Sequence, residues 1–120
     1  MAKGRAGAAT TSEDLDLVWK ALADPTRRAI LDALRGKPCT TTEIVARFPE
    51  LSRFGVMKHL AVLRAAKLVL SRDEGRQVVN SLNALPIRLI YERWVSGYQD
   101  LWLTTMTRLK RSLEDAPEGE

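Results

Sequence analysis

Apolar residues in this chain recur at helical spacing over most of its length, then give way to β-prone runs from Val69 to Leu82. Leu15, Val18, Trp19 and Leu22 fall at i, i+3, i+4 and i+7. They predict a first helix with Ser12 as N-cap and with Glu13 and Asp14 at its positive end. Asp24 caps a second helix, Pro25 fits its first turn, Ile30, Leu31 and Leu34 line one face, and Gly36-Lys37-Pro38 stops it. Thr40-Thr41-Thr42-Glu43 supplies a hydroxyl cap and an early acid for a short third helix from Thr42 to Phe48, which Pro49 ends. Ser52 caps a fourth helix running to about Lys67. A short helix, a tight turn and a longer helix in succession form the helix-turn-helix arrangement.

The β-prone runs are Val69-Leu70-Ser71-Arg72 and Gln77-Val78-Val79-Asn80-Ser81-Leu82. Between them, Asp73-Glu74-Gly75-Arg76 predicts a hairpin that turns on Gly75 at positive φ. Asn83 is placed to cap a last helix, with Pro86 tolerated in its first turn. Along that helix Ile87, Ile90, Tyr91, Trp94, Tyr98, Leu101, Trp102, Leu109 and Leu113 form a long apolar stripe. The expected fold is mainly α with a small β-hairpin: a winged helix-turn-helix of five helices and a two-stranded wing, over residues 12–113. Residues 1–11, without periodicity, are expected to form a disordered arm, and residues 114–120 an acidic flexible tail. No internal repeat is visible.

The length of 120 residues suits one compact domain, and 45% hydrophobic with 28% charged residues is ordinary for a globular one. No apolar run approaches the roughly 20 residues of a membrane span. The N-terminus lacks the apolar stretch of a secretory signal, and a lone Cys39 has no partner for an internal disulfide. The cytoplasm is therefore the expected compartment. Charge changes the picture more. Leu51 to Arg76 holds Arg53, Lys58, Arg64, Lys67, Arg72 and Arg76 against Asp73 and Glu74, a balance of +4 that equals the net charge of the whole chain. Such a concentrated basic field implies a polyanionic partner, with a plain solvated surface as the alternative.

Unrolled at about 100° per residue, the fourth helix puts Val56, Leu60 and Leu63 on a core face. Phe54, Lys58, Ala61 and Val62 point the other way, with Gly55 at the flank. One cation, one aromatic ring and otherwise small residues suit a helix entering the major groove of double-stranded DNA. Lys58 reaches guanine or phosphate there, and Phe54 meets thymine methyl groups. Ser52 and Arg53, in the first turn, are placed for phosphate contacts. The competing reading folds Phe54 back onto the third helix as core. His59, near the core flank, is read as a structural or phosphate-contacting residue. Arg72 and Arg76 flank the hairpin tip, with Gln77 beside them, where a wing lies against the minor groove or backbone. Asp73 and Glu74 repel phosphate and limit that contact.

Asp24-Pro25-Thr26-Arg27-Arg28-Ala29-Ile30-Leu31 resembles the signature of the ArsR (arsenical-resistance repressor) family of winged-helix regulators. Leu51-Ser52, Val56, Lys58-His59-Leu60 and Val62-Leu63-Arg64, followed by Leu68-Val69 and Gly75-Arg76, are similar to the same family. The segments Arg53–Leu60 and Pro86–Trp94 resemble a metal-independent branch of it, with Tyr91 where that branch carries His. The resemblance implies a repressor that binds DNA as a homodimer, with the first and last helices at the interface: Leu15, Val18 and Trp19, and Trp94, Tyr98, Leu101 and Trp102. The apolar stripe supports this independently, because soluble monomers rarely leave so large a patch exposed. Packing of the stripe across the first helix of the same chain is the alternative.

Metal-sensing members of the family use cysteine pairs on the third helix, or His and carboxylates on the last. Here the third helix has no Cys and the chain has one His, so no metal and no cofactor are expected. Cys39, close to Lys37, is a candidate redox switch or an ordinary thiol. No nucleophile–base pair or phosphate loop supports an enzyme. Regulation by an unidentified small-molecule or protein effector stays open. So does use of the domain for protein–protein contact, since this fold serves both purposes.

Overall fold

The structure, a computed structural model, describes residues 12–116. The expected arm over residues 1–11 and the last four residues of the expected tail lie outside them. The chain divides into two units, one ending at Ile87 and one starting at Arg88.

The first unit contains α1 (Ser12–Leu22), α2 (Pro25–Gly36), β1 (Cys39–Thr40), α3 (Thr41–Arg47), α4 (Arg53–Ala65), β2 (Val69–Glu74) and β3 (Gln77–Leu82). Its core is built from Ile30, Leu31 and Leu34 of α2, Ile44 of α3, and Val56, Leu60 and Leu63 of α4, with Leu68 and Val69. The core faces expected for α2 and α4 are the ones observed. On α1 the expectation needs correcting at one residue. Val18 is 3% exposed, turned with Ala21 into the core of its own chain, and offers nothing to a partner. Leu15 is half-buried and Trp19 keeps 44% of its surface exposed.

Asp24-Pro25-Thr26-Arg27-Arg28 forms the corner between α1 and α2. The Asp24 carboxylate accepts from the Arg27 backbone N–H at 3.0 Å and so caps α2. The Arg27 side chain turns back to the end of α1, with Nε on the Ala21 carbonyl and a terminal nitrogen on the Lys20 carbonyl, both at 2.9 Å. Arg28 reaches the Leu22 carbonyl at 2.6 Å. Two guanidinium groups thus satisfy the last carbonyls of α1 at the negative end of its dipole. The Arg27 N–H bond to its carboxylate is the chief cause that holds Asp24 below the ordinary carboxylate range. Partial burial opposes this, and the charges of Arg27 and His59 add to it.

A depressed carboxylate stabilises the fold above its unfolded pKa of about 3.9, and that contribution is lost as pH falls through its lower folded value. Asp24→Asn, which keeps a capping oxygen but has no charge to titrate, is therefore expected to flatten the acid limb of stability. Urea denaturation at pH values from about 2 to 7 checks this. An acid limb as steep in the variant as in the parent would contradict it.

Thr40 and Glu43 form a capping box at the start of α3: Thr40 Oγ1 accepts from Glu43 N at 3.0 Å, and Glu43 Oε1 accepts from Thr40 N at 2.8 Å. The Leu51 N–H closes a turn on the Phe48 carbonyl at 2.9 Å, and Ser52 then caps α4. That helix stops two residues before the expected Lys67. Leu68 N–H reaches the Leu63 carbonyl at 3.0 Å and Lys67 N–H the Arg64 carbonyl at 2.9 Å, with Lys67 at φ 66°. This is a Schellman ending, and Lys67 takes the left-handed position that glycine usually fills. The hairpin pairs Val69 with Leu82 through Glu74 with Gln77, leaving Gly75-Arg76 as its tip, with Gly75 at φ +63°. The sheet has a third strand that the sequence pattern did not reveal: β1 pairs Cys39 with Asn80 and Thr40 with Val79, giving the order β1-β3-β2.

From Leu85 onward the described chain is helical, as α5 (Leu85–Ile90), a π turn (Tyr91–Val95) and α6 (Ser96–Asp115). Asn83, the expected cap, stands one residue before the N-cap position of this run, and its side-chain oxygen accepts from Leu85 N at 3.3 Å. The π turn is a departure from the expected single α-helix. It closes with a Ser96 N–H bond to the Tyr91 carbonyl, while the Ser96 hydroxyl donates to the Glu92 carbonyl at 3.0 Å. Glu114 and Asp115, expected in the flexible tail, belong to α6.

Candidate nucleic-acid interface

The outward face of α4 carries the candidate chemistry. Phe54 is 70% exposed, so it is not folded back as core. Lys58, one turn further on, places its Nζ 5.4 Å from the centre of the Phe54 ring, within cation–π reach. Ala61 is exposed beside them and Val62 is half-buried. At the start of the helix the Ser52 hydroxyl accepts from Gly55 N at 3.0 Å, so it is engaged in capping. A Cβ at Gly55 would sit 3.5 Å from Ser52 Oγ, an ordinary contact, so glycine there leaves the outer surface open without being required by the packing.

Arg53 crosses to the other helix of the pair, where its guanidinium donates to the Thr42 hydroxyl at 2.9 Å. Thr42 and the half-exposed Met57 were not singled out from sequence. In sequence the Thr40–Thr42 run signals only a helix cap, and an arginine eleven residues away gives no local signal. Of the two readings of His59, the structural one holds and the phosphate contact needs correcting. Its Nδ1 lies 3.4 Å from an Arg27 terminal nitrogen and 4.0 Å from Asp24 Oδ2, so it fastens α4 to the α1–α2 corner and is not part of the outward face.

On the hairpin, Arg72 is paired with Glu74 on its own strand, with Nε to Oε2 at 2.9 Å. Among the described residues Arg76, at the tip, has no such acidic partner, and Gln77 is exposed next to it. The two arginines are therefore not equivalent. Arg76→Ala is expected to lower the slope of log affinity against log salt by about 0.9 for each chain bound to the duplex, the value of one phosphate contact. Arg72→Ala, already neutralised by Glu74, is expected to lower it by less than half as much. Equal slopes for both variants and the parent would show that the hairpin does not touch DNA.

No metal-ligand set gathers: among the described residues no three His, Cys, Asp or Glu side chains converge. Cys39 is buried in β1 with its Sγ 3.5 Å from the Lys37 carbonyl oxygen, away from the exposed setting a reactive thiol needs. No described helix is long and apolar enough to cross a membrane. In the second unit α6 has no buried residue, and the Trp94 and Tyr98 rings meet at a tilt of 43° with centres 4.8 Å apart. Leu101 and Trp102 are exposed further along.

A family profile described as a helix-turn-helix domain matches residues 22–72, the segment from the end of α1 into β2. The HTH-type transcriptional regulator Rv2034 of Mycobacterium tuberculosis is 34% identical over 99 residues, covering 77% of this chain and 92% of its own length. The crystal structure of an ArsR family transcriptional regulator superposes with a TM-score of 0.69 at 32% identity, covering 78% of this chain and 95% of that one. The chain belongs to the ArsR family of winged helix-turn-helix transcriptional regulators. It is accordingly a DNA-binding regulator and not an enzyme. The transcriptional repressor SdpR of Bacillus subtilis is 38% identical over 66 residues, covering 55% of this chain and 72% of its own. This ArsR-family chain carries its helix-turn-helix as α3 and α4, and its wing as β2 and β3.

Proposed function

We propose that this ArsR-family protein is a dimeric repressor that binds an inverted-repeat operator in double-stranded DNA and responds to no metal. The observation that carries the reading is the outward face of α4, where an exposed Phe54 ring and the Lys58 ammonium stand together beside small residues. An ammonium and an aromatic edge on a helix match the guanine acceptors and thymine methyl groups of the major groove. Arg53 and Arg76 supply phosphate contacts on either side of it. Residues 12–113 act as the DNA-binding and dimerisation domain, in the cytoplasm. The exposed aromatic residues of α6 in the second unit, and separately Trp19 in the first, offer surface to a second copy of the chain. Repression follows the likeness to SdpR.

Selection from random duplex DNA with the purified full chain tests this. The expected result is an inverted repeat with half-site centres about 34 Å, one helical turn, apart. Enrichment of no palindrome would overturn it. Zinc, cadmium and arsenite are each expected to leave the selected complex intact, since Cys39 is buried and His59 is held by Arg27 and Asp24. Release of the duplex by stoichiometric zinc in an anisotropy titration would contradict metal independence.

A further inference from the structure

Asn80 is fully buried and, among the described residues, is the one polar side chain in the core. Period two along β3 places it on the face with Val78 and Leu82, where an apolar residue would pack without any hydrogen-bonding demand. Both its amide hydrogens and its oxygen are engaged. Nδ2 donates to the Cys39 carbonyl at 3.2 Å and to the Thr41 hydroxyl at 3.1 Å, and Oδ1 accepts from the Ser71 hydroxyl at 2.7 Å. Ser71 in turn accepts from the Arg64 guanidinium at 3.4 Å. One amide therefore joins both strands of the hairpin to β1 and the first turn of α3, with α4 attached through Arg64.

A buried amide is costly unless every bond is made, so this network has one arrangement of low energy. An apolar side chain would tolerate a range of hairpin positions. We infer that Asn80 is a positioning residue for DNA binding: it fixes the hairpin against the start of α3 and so sets where the Gly75-Arg76 tip meets the duplex once α4 is in the groove. The inference rests on the proposed reading of the hairpin as a DNA contact.

The test is a set of double-mutant cycles on the full chain, using the duplex selected by the parent protein, well below each variant's Tm. Asn80→Leu is expected to weaken binding about tenfold in the parent and in a Lys58→Ala background, but less than about twofold in an Arg76→Ala background. A merely structural role would give equal losses in all three backgrounds, and that result overturns the inference, as does no loss at all. Should Asn80→Leu fail to fold, Thr41→Val goes through the same cycles. It keeps the β-branched shape, removes one acceptor, and is expected to cost about threefold with the same dependence on Arg76. If Arg76→Ala alone leaves affinity and salt slope unchanged, the hairpin reading falls and the role of Asn80 falls with it. Lys58→Ala then reports separately on α4. If Arg76→Ala does weaken binding while the Asn80 loss is independent of it, the hairpin reading stands and only the role of Asn80 is lost.

Discussion

Replacing Trp102 with glutamate is expected to yield monomers and to lower affinity for the inverted repeat at least about a hundredfold. Trp102 is 59% exposed on a helix that buries none of its residues, in line with Trp94, Tyr98 and Leu101. Aromatic side chains of this kind anchor interfaces, and a carboxylate forced into such a surface has to be desolvated without a partner. A monomer engages one half-site and loses the gain in effective concentration that the second recognition helix provides. Because Trp102 lies in the second unit, outside the core residues of the first, the thermal transition of the winged unit is expected to persist. Sedimentation measures the mass and anisotropy the affinity. A variant that remains dimeric at micromolar concentration would place the dimer surface elsewhere.

Lys58→Ala is expected to cost about 1–3 kcal/mol per half-site, and so at least about thirtyfold in affinity for the selected duplex with its two half-sites, with little change for unrelated DNA. Phe54→Ala is expected to act in the same direction. It removes both an apolar contact and the ring that holds the ammonium in place, an exposed cation–π pair of about 0.5–1 kcal/mol. Neither variant should lower Tm by more than a degree or two, since substitutions at such exposed positions usually change stability by less than about 0.5 kcal/mol. A large fall in Tm for Phe54→Ala, with specific affinity unchanged, would contradict the role given to this face.

The helix-turn-helix was legible because its signals are local. Thr40 and Glu43 lie within one turn, Ser52 precedes α4 directly, and Val56, Leu60 and Leu63 repeat at the helical period. Gly75 likewise announced the hairpin tip. What the sequence hid was long-range or too short to have a period. β1 is two residues long, and its identity as a strand depends on Asn80 and Val79, some forty positions away. His59 belongs to the Asp24–Arg27 corner through a contact across 32 positions. Val18 shares a helical face with Leu15, yet only the packing of α1 decides which of the two is covered.

The π turn left a trace that is clear in retrospect. Ile90, Trp94, Tyr98 and Trp102 recur every four residues, and a four-residue step overshoots an α-helical turn by about 40°. One extra residue in the turn at Tyr91–Val95 offsets that drift between Ile90 and Trp94, ahead of α6. On the hairpin, Arg72 and Arg76 look alike in sequence, and only the geometry pairs Arg72 with Glu74.

The most direct measurement is to repeat the selection from random duplex DNA with the parent protein and with Lys58→Ala side by side. Both proteins are expected to select the same inverted repeat with the same half-site spacing. In the variant, sequence preference should relax at one position of each half-site, symmetrically about the dyad, because one side chain on each α4 is lost. Preferences identical in the two selections, or a parent selection with no two-fold symmetry, would contradict recognition by a pair of α4 helices.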